Sequence, residues 1–75
     1  MPHMPNISDA RKLIGHKIAT TRKKKGYTQE RFSEAVGLSL SHLASLEIGI
    51  HAPRLETLLK IAKELNVEVK DLISF

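Results

Sequence analysis

Thr28-Gln-Glu-Arg-Phe-Ser-Glu-Ala-Val-Gly-Leu-Ser-Leu-Ser-His-Leu-Ala-Ser-Leu-Glu47 is the stretch whose reading decides the fold. A short amphipathic segment, Thr28 to Val36, stops at Gly37, and a second begins at Ser39. Thr28 and Ser39 each stand where a hydroxyl accepts a hydrogen bond from the first free N–H groups of a helix. Gly37 stands where a helix ends and the chain turns through positive φ, which costs glycine little. Two helices joined by so few residues cannot run antiparallel. They cross steeply, as in a helix-turn-helix. Phe32, Val36, Leu38, Leu43 and Leu46 then fall on inward faces, with Ser33 small where the helices approach.

Around this stretch the chain offers little else to build with. Its 75 residues make one domain near the lower size limit for a self-sufficient core. There is no cysteine, so neither disulfides nor thiolate-bound zinc supplement that core. A packed all-α bundle, helped by dimerisation, is the economical solution. No apolar run approaches a membrane span and no secretory signal is visible, so a cytoplasmic protein is expected.

The net charge of +4 is unevenly distributed. Residues 1–38 hold eight Lys/Arg against three Asp/Glu, whereas residues 39–75 hold four against five. The excess peaks at Arg22-Lys23-Lys24-Lys25. This run reads either as a solvated helix end favoured by the macrodipole or as a footprint for phosphates.

From Ser8 or Asp9 to Lys25 the pattern is helical, with Ala10, Ile14, Ile18 and Arg22 on one stripe and Leu13 and Thr21 beside it. Arg22 is a cation on an apolar stripe. Helix 3 carries the matching anomaly, Glu47 one turn after Leu43. The simplest reading pairs the two charges, because a buried unpaired partner costs roughly 3–5 kcal/mol; the alternative is that both reach solvent at the edge of the bundle.

Helix 2 runs from the Thr28 cap to about Val36, without a full capping box because Arg31 stands where Glu or Gln would reach back. Helix 3 is expected from about Leu40 to Ile48, ended by Gly49. After the loop Ile50-His-Ala-Pro53, helix 4 shows a stripe of Leu55, Leu58, Leu59, Ala62 and Leu65, with Asn66 as its C-cap. Val67 to Ile73 fits a short fifth helix carrying Val69, Leu72 and Ile73.

Catalytic chemistry finds no foothold. No two of His3, His16, His42 and His51 have the spacing of paired ligands on a helical face, so no metal and no cofactor is expected. Gly26, Gly37 and Gly49 end helices rather than cradle a phosphate. Ser41 and His42 adjoin along a helix and point different ways. Helix 3 is more informative. With Leu43, Leu46 and Glu47 inward, Leu40, Ser41, Ala44 and Ser45 face outward, with His42 on the flank. The serines read either as a solvated face or as groups that hydrogen-bond base edges, and Leu40 as a partner for a thymine methyl.

These residues together carry a family resemblance. Ile14-Gly-His-Lys-Ile18, Arg22-Lys-Lys-Lys-Gly-Tyr-Thr-Gln-Glu30, Val36-Gly-Leu-Ser39, Leu46-Glu-Ile-Gly49 and Pro53-Arg-Leu-Glu-Thr-Leu-Leu-Lys-Ile-Ala62 resemble the phage repressor/Cro-type (Xre-like) helix-turn-helix regulators. The resemblance covers about residues 9 to 73. It implies the five-helix lambda-repressor-like bundle, with residues 8–75 as the DNA-binding domain. Residues 1–7 are expected to be a disordered N-terminal segment, Met1–His3 being an expression remnant ahead of Met4. It also implies a homodimer on double-stranded DNA at a pseudo-palindromic operator, with helix 3 in the major groove.

Position by position, Ser39, Leu40, Ser41 and Ser45 match base-reading positions. Gln29 matches a glutamine that contacts phosphate and braces helix 3. Lys23, Lys24, His42 and Arg54 are expected on the phosphate backbone, and Arg22 and Glu47 match the buried ion pair of the family. Ile48, Ile50, Leu72, Ile73 and Phe75 lie where such proteins make dimer contacts. RNA polymerase or a cognate toxin are further partners the family allows, and the alternative function is a protein-interaction module that keeps the fold. Phe32-Ser33 departs from the usual Leu-Ala. Arg54 and Glu68 stand where Ser or Thr commonly cap, weakening those helix starts by up to about 1 kcal/mol.

Overall fold

The computed structural model describes residues 6–74 and consists of five helices with no strand among the described residues. They are α1 (Ile7–Lys24), α2 (Gln29–Val36), α3 (Leu40–Glu47), α4 (Leu55–Leu65) and α5 (Val69–Ile73). Helix α1 packs against α3, α4 and α5, and α2 packs against α3 and α4, so the steep α2–α3 pair is clamped from both sides.

The caps set the boundaries. Asn6 Oδ1 accepts from the Asp9 N–H at 2.8 Å, Thr28 Oγ1 from Arg31 at 3.1 Å, and Ser39 Oγ from His42 at 3.0 Å. The first of these corrects an expectation. With Asn6 as cap, α1 starts at Ile7, ahead of Ser8, so Asn6 and Ile7 belong to the folded unit rather than to a disordered segment.

Helices α1 to α4 end in the same way. The residue two past each helix, or past its cap, donates back across the last turn: Tyr27 to Arg22, Leu38 to Ser33, Ile50 to Ser45 and Val67 to Ala62. This closure needs a left-handed residue. Glycine supplies it three times, and Asn66 supplies it at φ 57°, which asparagine tolerates better than other side chains.

Ile18, Phe32, Leu43, Leu46, Ile61 and Leu65 are fully buried and, with Val36, Leu58, Ala62 and Leu72, form the core. Each buried aliphatic or aromatic side chain contributes roughly 1.5–3 kcal/mol. Three sequence expectations shift here. In α4 the buried stripe is Leu58, Ile61, Ala62 and Leu65, while Leu55 and Leu59 are 67% and 51% exposed. The partners of α4 cover only one side of it, so leucines on its shoulder stay in solvent. Leu13 is likewise exposed on α1. Leu72 is a core residue, so its side chain is not available to a dimer surface.

Helix α5 starts at Val69, two residues later than expected. Its start is better served than Glu68 suggested, because the Asp71 carboxylate accepts from the Glu68 N–H at 2.9 Å. Helix α4 does begin without a side-chain cap at Arg54.

Candidate nucleic-acid interface

What aims α3 is buried beneath it. Glu47 points inward, and Arg22 from the last turn of α1 meets it with two donors, Nε to Oε2 at 2.7 Å and Nη2 to Oε1 at 3.1 Å. Both side chains are almost fully buried. The third donor of the guanidinium, Nη1, reaches the Tyr27 carbonyl at 2.7 Å, and Gln29 Nε2 donates to Glu47 Oε1 at 2.8 Å. The fork geometry of arginine fits a carboxylate through two parallel bonds, which fixes orientation as well as contributing energy. The end of α1, the loop at Tyr27, the start of α2 and the end of α3 are thus tied to one carboxylate. The expected Arg22–Glu47 pair is present in the structure, and Gln29 braces it.

A second constraint on α3 comes from Gly15. Its position inside α1 has no conformational reason, since a glycine in a helix interior costs roughly 0.5–1 kcal/mol relative to alanine. The reason is contact. A β-carbon there would lie 2.8 Å from the Glu47 carbonyl carbon and closer still to the carbonyl oxygens of Leu46 and Glu47. The backbones of α1 and α3 meet at this point.

With Leu43, Leu46 and Glu47 inward, α3 turns the opposite arc to solvent. Ser41 is exposed at its middle, and Ala44 and Ser45 are half-buried beside it. Leu40, 44% exposed, and His42, also exposed, mark its two flanks. The Ser39 hydroxyl serves first as cap, with its proton still free to donate onward.

On the Leu40 flank a cleft runs between α3, the end of α1 and the start of α2, lined by Lys23, Thr28, Gln29, Glu30, Leu40 and Ile48. Lys24 is exposed next to Lys23. On the His42 flank a recess is lined by His42, His51, Ala52, Arg54 and Thr57.

Of the residues expected in a dimer contact, Ile48 therefore lines the cleft that holds Lys23. Ile50 and Ile73 are exposed elsewhere, and Phe75 lies outside the described residues. Three features escaped the sequence reading: Gly15 at the helix crossing, His51 in the recess, and Tyr27, whose hydroxyl donates to Glu64 of α4. The interior glycine was the one available signal. Among the described residues no group of His, Asp or Glu is placed to hold a metal ion, and no helix is long and apolar enough to cross a membrane.

A helix-turn-helix family model matches residues 18–72. The HTH-type transcriptional regulator y4dJ of Sinorhizobium fredii is 39% identical over 66 residues, covering 88% of this chain and 86% of that protein. Among solved structures, the restriction-modification controller protein C.AhdI of Aeromonas hydrophila superposes with a TM-score of 0.78 at 31% identity, over 85% of this chain and 96% of the other. The master regulator for biofilm formation SinR, solved in complex with DNA, superposes with a TM-score of 0.77 at 34% identity, over 81% of this chain and 98% of the other.

Proposed function

The chain belongs to the helix-turn-helix family of Xre/Cro/C1-type transcriptional regulators, which are DNA-binding proteins and not enzymes, and from that premise we propose a cytoplasmic, sequence-specific regulator that binds a pseudo-palindromic operator as a homodimer. The observation that carries the reading is the arrangement of α3. Its inward face is locked by Arg22, Glu47 and Gln29, while its outward face offers only small and polar groups beside Leu40. A face of small residues lets a helix settle deeply into the major groove.

Ser39, Ser41 and Ser45 hydrogen-bond base edges in this reading, and Leu40 packs on a thymine methyl. Lys23 and Lys24 meet backbone phosphates beside the start of α2, whose capped N-terminal turn adds its own positive end. Gln29 keeps its amide oxygen and second amide proton free while bracing Glu47.

For the dimer, the exposed apolar residues on the less basic half are the available surface: Ile50, then Leu55 and Leu59 one turn apart on α4, and Ile73 on α5. Isolated exposed leucines are ordinary, but a pair on one helix face in so small a chain favours a self-contact.

The test is fluorescence anisotropy at one fixed salt concentration with two duplexes, one from upstream of its own gene and one scrambled. A preference of about 10³-fold or more supports a specific, self-regulating protein. Equal, salt-sensitive binding to both would leave only a phosphate footprint, and no binding to either would move the fold to a protein-interaction role.

A further inference from the structure

The two flanks of α3 differ in the kind of cation they offer. The Leu40 flank carries lysine, which is charged throughout the physiological range. The His42 flank is lined by two imidazoles and one guanidinium: His42 from α3, His51 from the loop between α3 and α4, and Arg54 at the start of α4, with Thr57 one turn further on. No carboxylate lines this recess. The nearest acid along the chain, Glu56, is not among its walls. The other charged group brought to the loop is again a cation, Arg11 of α1, whose Nη1 reaches the Ile50 carbonyl at 3.5 Å.

Thr57, which lines the recess, belongs to the first turn of α4, where the N–H groups of Leu55, Glu56 and Thr57 are free. No side chain caps this helix, and among the described residues none of the three donates a hydrogen bond. Groups of one sign gathered without a counter-charge favour an anion between them.

A helix seated in the major groove has a sugar–phosphate backbone on either side of it, because the groove is about 12 Å wide and a helix nearly fills it. The Lys23 cleft lies on one side of the exposed arc, and the histidine recess on the other. We propose that His42, His51 and Arg54 form a proton-coupled seat for a phosphate of the second strand, so that this protein takes up protons as it binds DNA. The proposal rests on the DNA-binding reading above. It adds to it a ligand for His51 and a dependence of affinity on pH.

Imidazole is the side chain that gains and loses its proton near neutral pH. A phosphate entering between His42, His51 and Arg54 favours the charged form of the imidazoles in the complex. A phosphate diester thus brings the proton with it. Lower pH then favours the bound state, up to about tenfold per pH unit for each proton taken up, by the usual linkage relation.

The experiment is anisotropy with a labelled random-sequence duplex of roughly two helical turns, at constant ionic strength, at pH 6 and pH 8. A phosphate seat needs no particular sequence, so an unknown operator is no obstacle. Wild type is expected to bind on the order of tenfold more tightly at the lower pH. His42→Gln and His51→Gln should each lose a large part of that ratio. His16→Gln, on the exposed side of α1, should keep it, which separates the recess from a general rise in charge.

Thermal unfolding of each variant shows that it is folded, as expected for exposed positions. A pH ratio equal in wild type and His51→Gln, or one abolished by His16→Gln, would overturn the seat while leaving DNA binding in place. Absence of binding at every pH would instead remove the DNA-binding reading on which the seat rests.

Discussion

The contact between α1 and α3 and the outer face of α4 are opposite kinds of surface. The first breaks the apolar pattern three times, with Gly15, Arg22 and Glu47, and is dry and tight. The second keeps the pattern with Leu55 and Leu59 and is left in water. Irregularity marks the place where orientation matters: a glycine sets how near the two helices come, and an ion pair sets how α3 is turned. The regular leucines of α4 set nothing within one subunit. In the proposed function they are where a second subunit docks.

The contrast can be broken first at Glu47. Glu47→Ala leaves Arg22 buried and Gln29 without its acceptor, and denaturant unfolding should show a loss of about 3–5 kcal/mol. A loss below about 1 kcal/mol would mean that the pair does not hold the helices together. Gly15→Ala comes next. Its methyl group meets backbone rather than a movable side chain, so about 1–3 kcal/mol should be lost as the helices are pushed apart. A gain, as helix propensity alone would give, would contradict the close approach.

A pair of cap variants sharpens the comparison at smaller scale. Ser39→Ala removes the bond to the His42 N–H and should cost about 1 kcal/mol, whereas Arg54→Ser supplies a missing cap and should raise stability by up to about 1 kcal/mol. Leu59→Glu should change subunit stability by less than about 0.5 kcal/mol while weakening self-association in sedimentation. An unchanged dissociation constant would remove the α4 face from the interface.

The smallest effect concerns Tyr27. Donation of its hydroxyl to the Glu64 carboxylate, helped by burial and by the charge of Glu64, raises its pKa above the ordinary tyrosine value. The folded state therefore favours the protonated phenol. The stabilisation is complete below the ordinary tyrosine pKa and is lost as pH rises through the raised one. Tyr27→Phe should remove that part of the alkaline decline in a pH series of unfolding curves.

Much of this was legible in the chain because it is local or because it violates a pattern. Thr28, Ser39, Gly37 and Asn66 mark helix ends through their own backbone chemistry. Arg22 and Glu47 are visible as two charges on two apolar stripes. The rest depends on what packs against what. The leucines of α4 read as core because periodicity identifies a face without saying how wide a neighbour covers it, and Ile61 was overlooked for the same reason. Leu72 was expected in a dimer contact through the family resemblance, which gives a region and not the direction of a side chain; it is a core residue. His51 joins His42 and Arg54 only through the fold of an aperiodic loop. The bond between Tyr27 and Glu64 spans 37 positions and leaves no mark in either neighbourhood.

The central claim is that the exposed arc of α3 reads bases while the residues around it only hold the backbone. Ser41→Ala and Lys24→Ala, each measured by anisotropy on operator and scrambled duplexes over a salt series, test it directly. Ser41→Ala should change the preference between duplexes at an unaltered salt slope, and Lys24→Ala should weaken both duplexes alike and lower the slope by about one. Uniform loss in both variants would contradict base reading by α3.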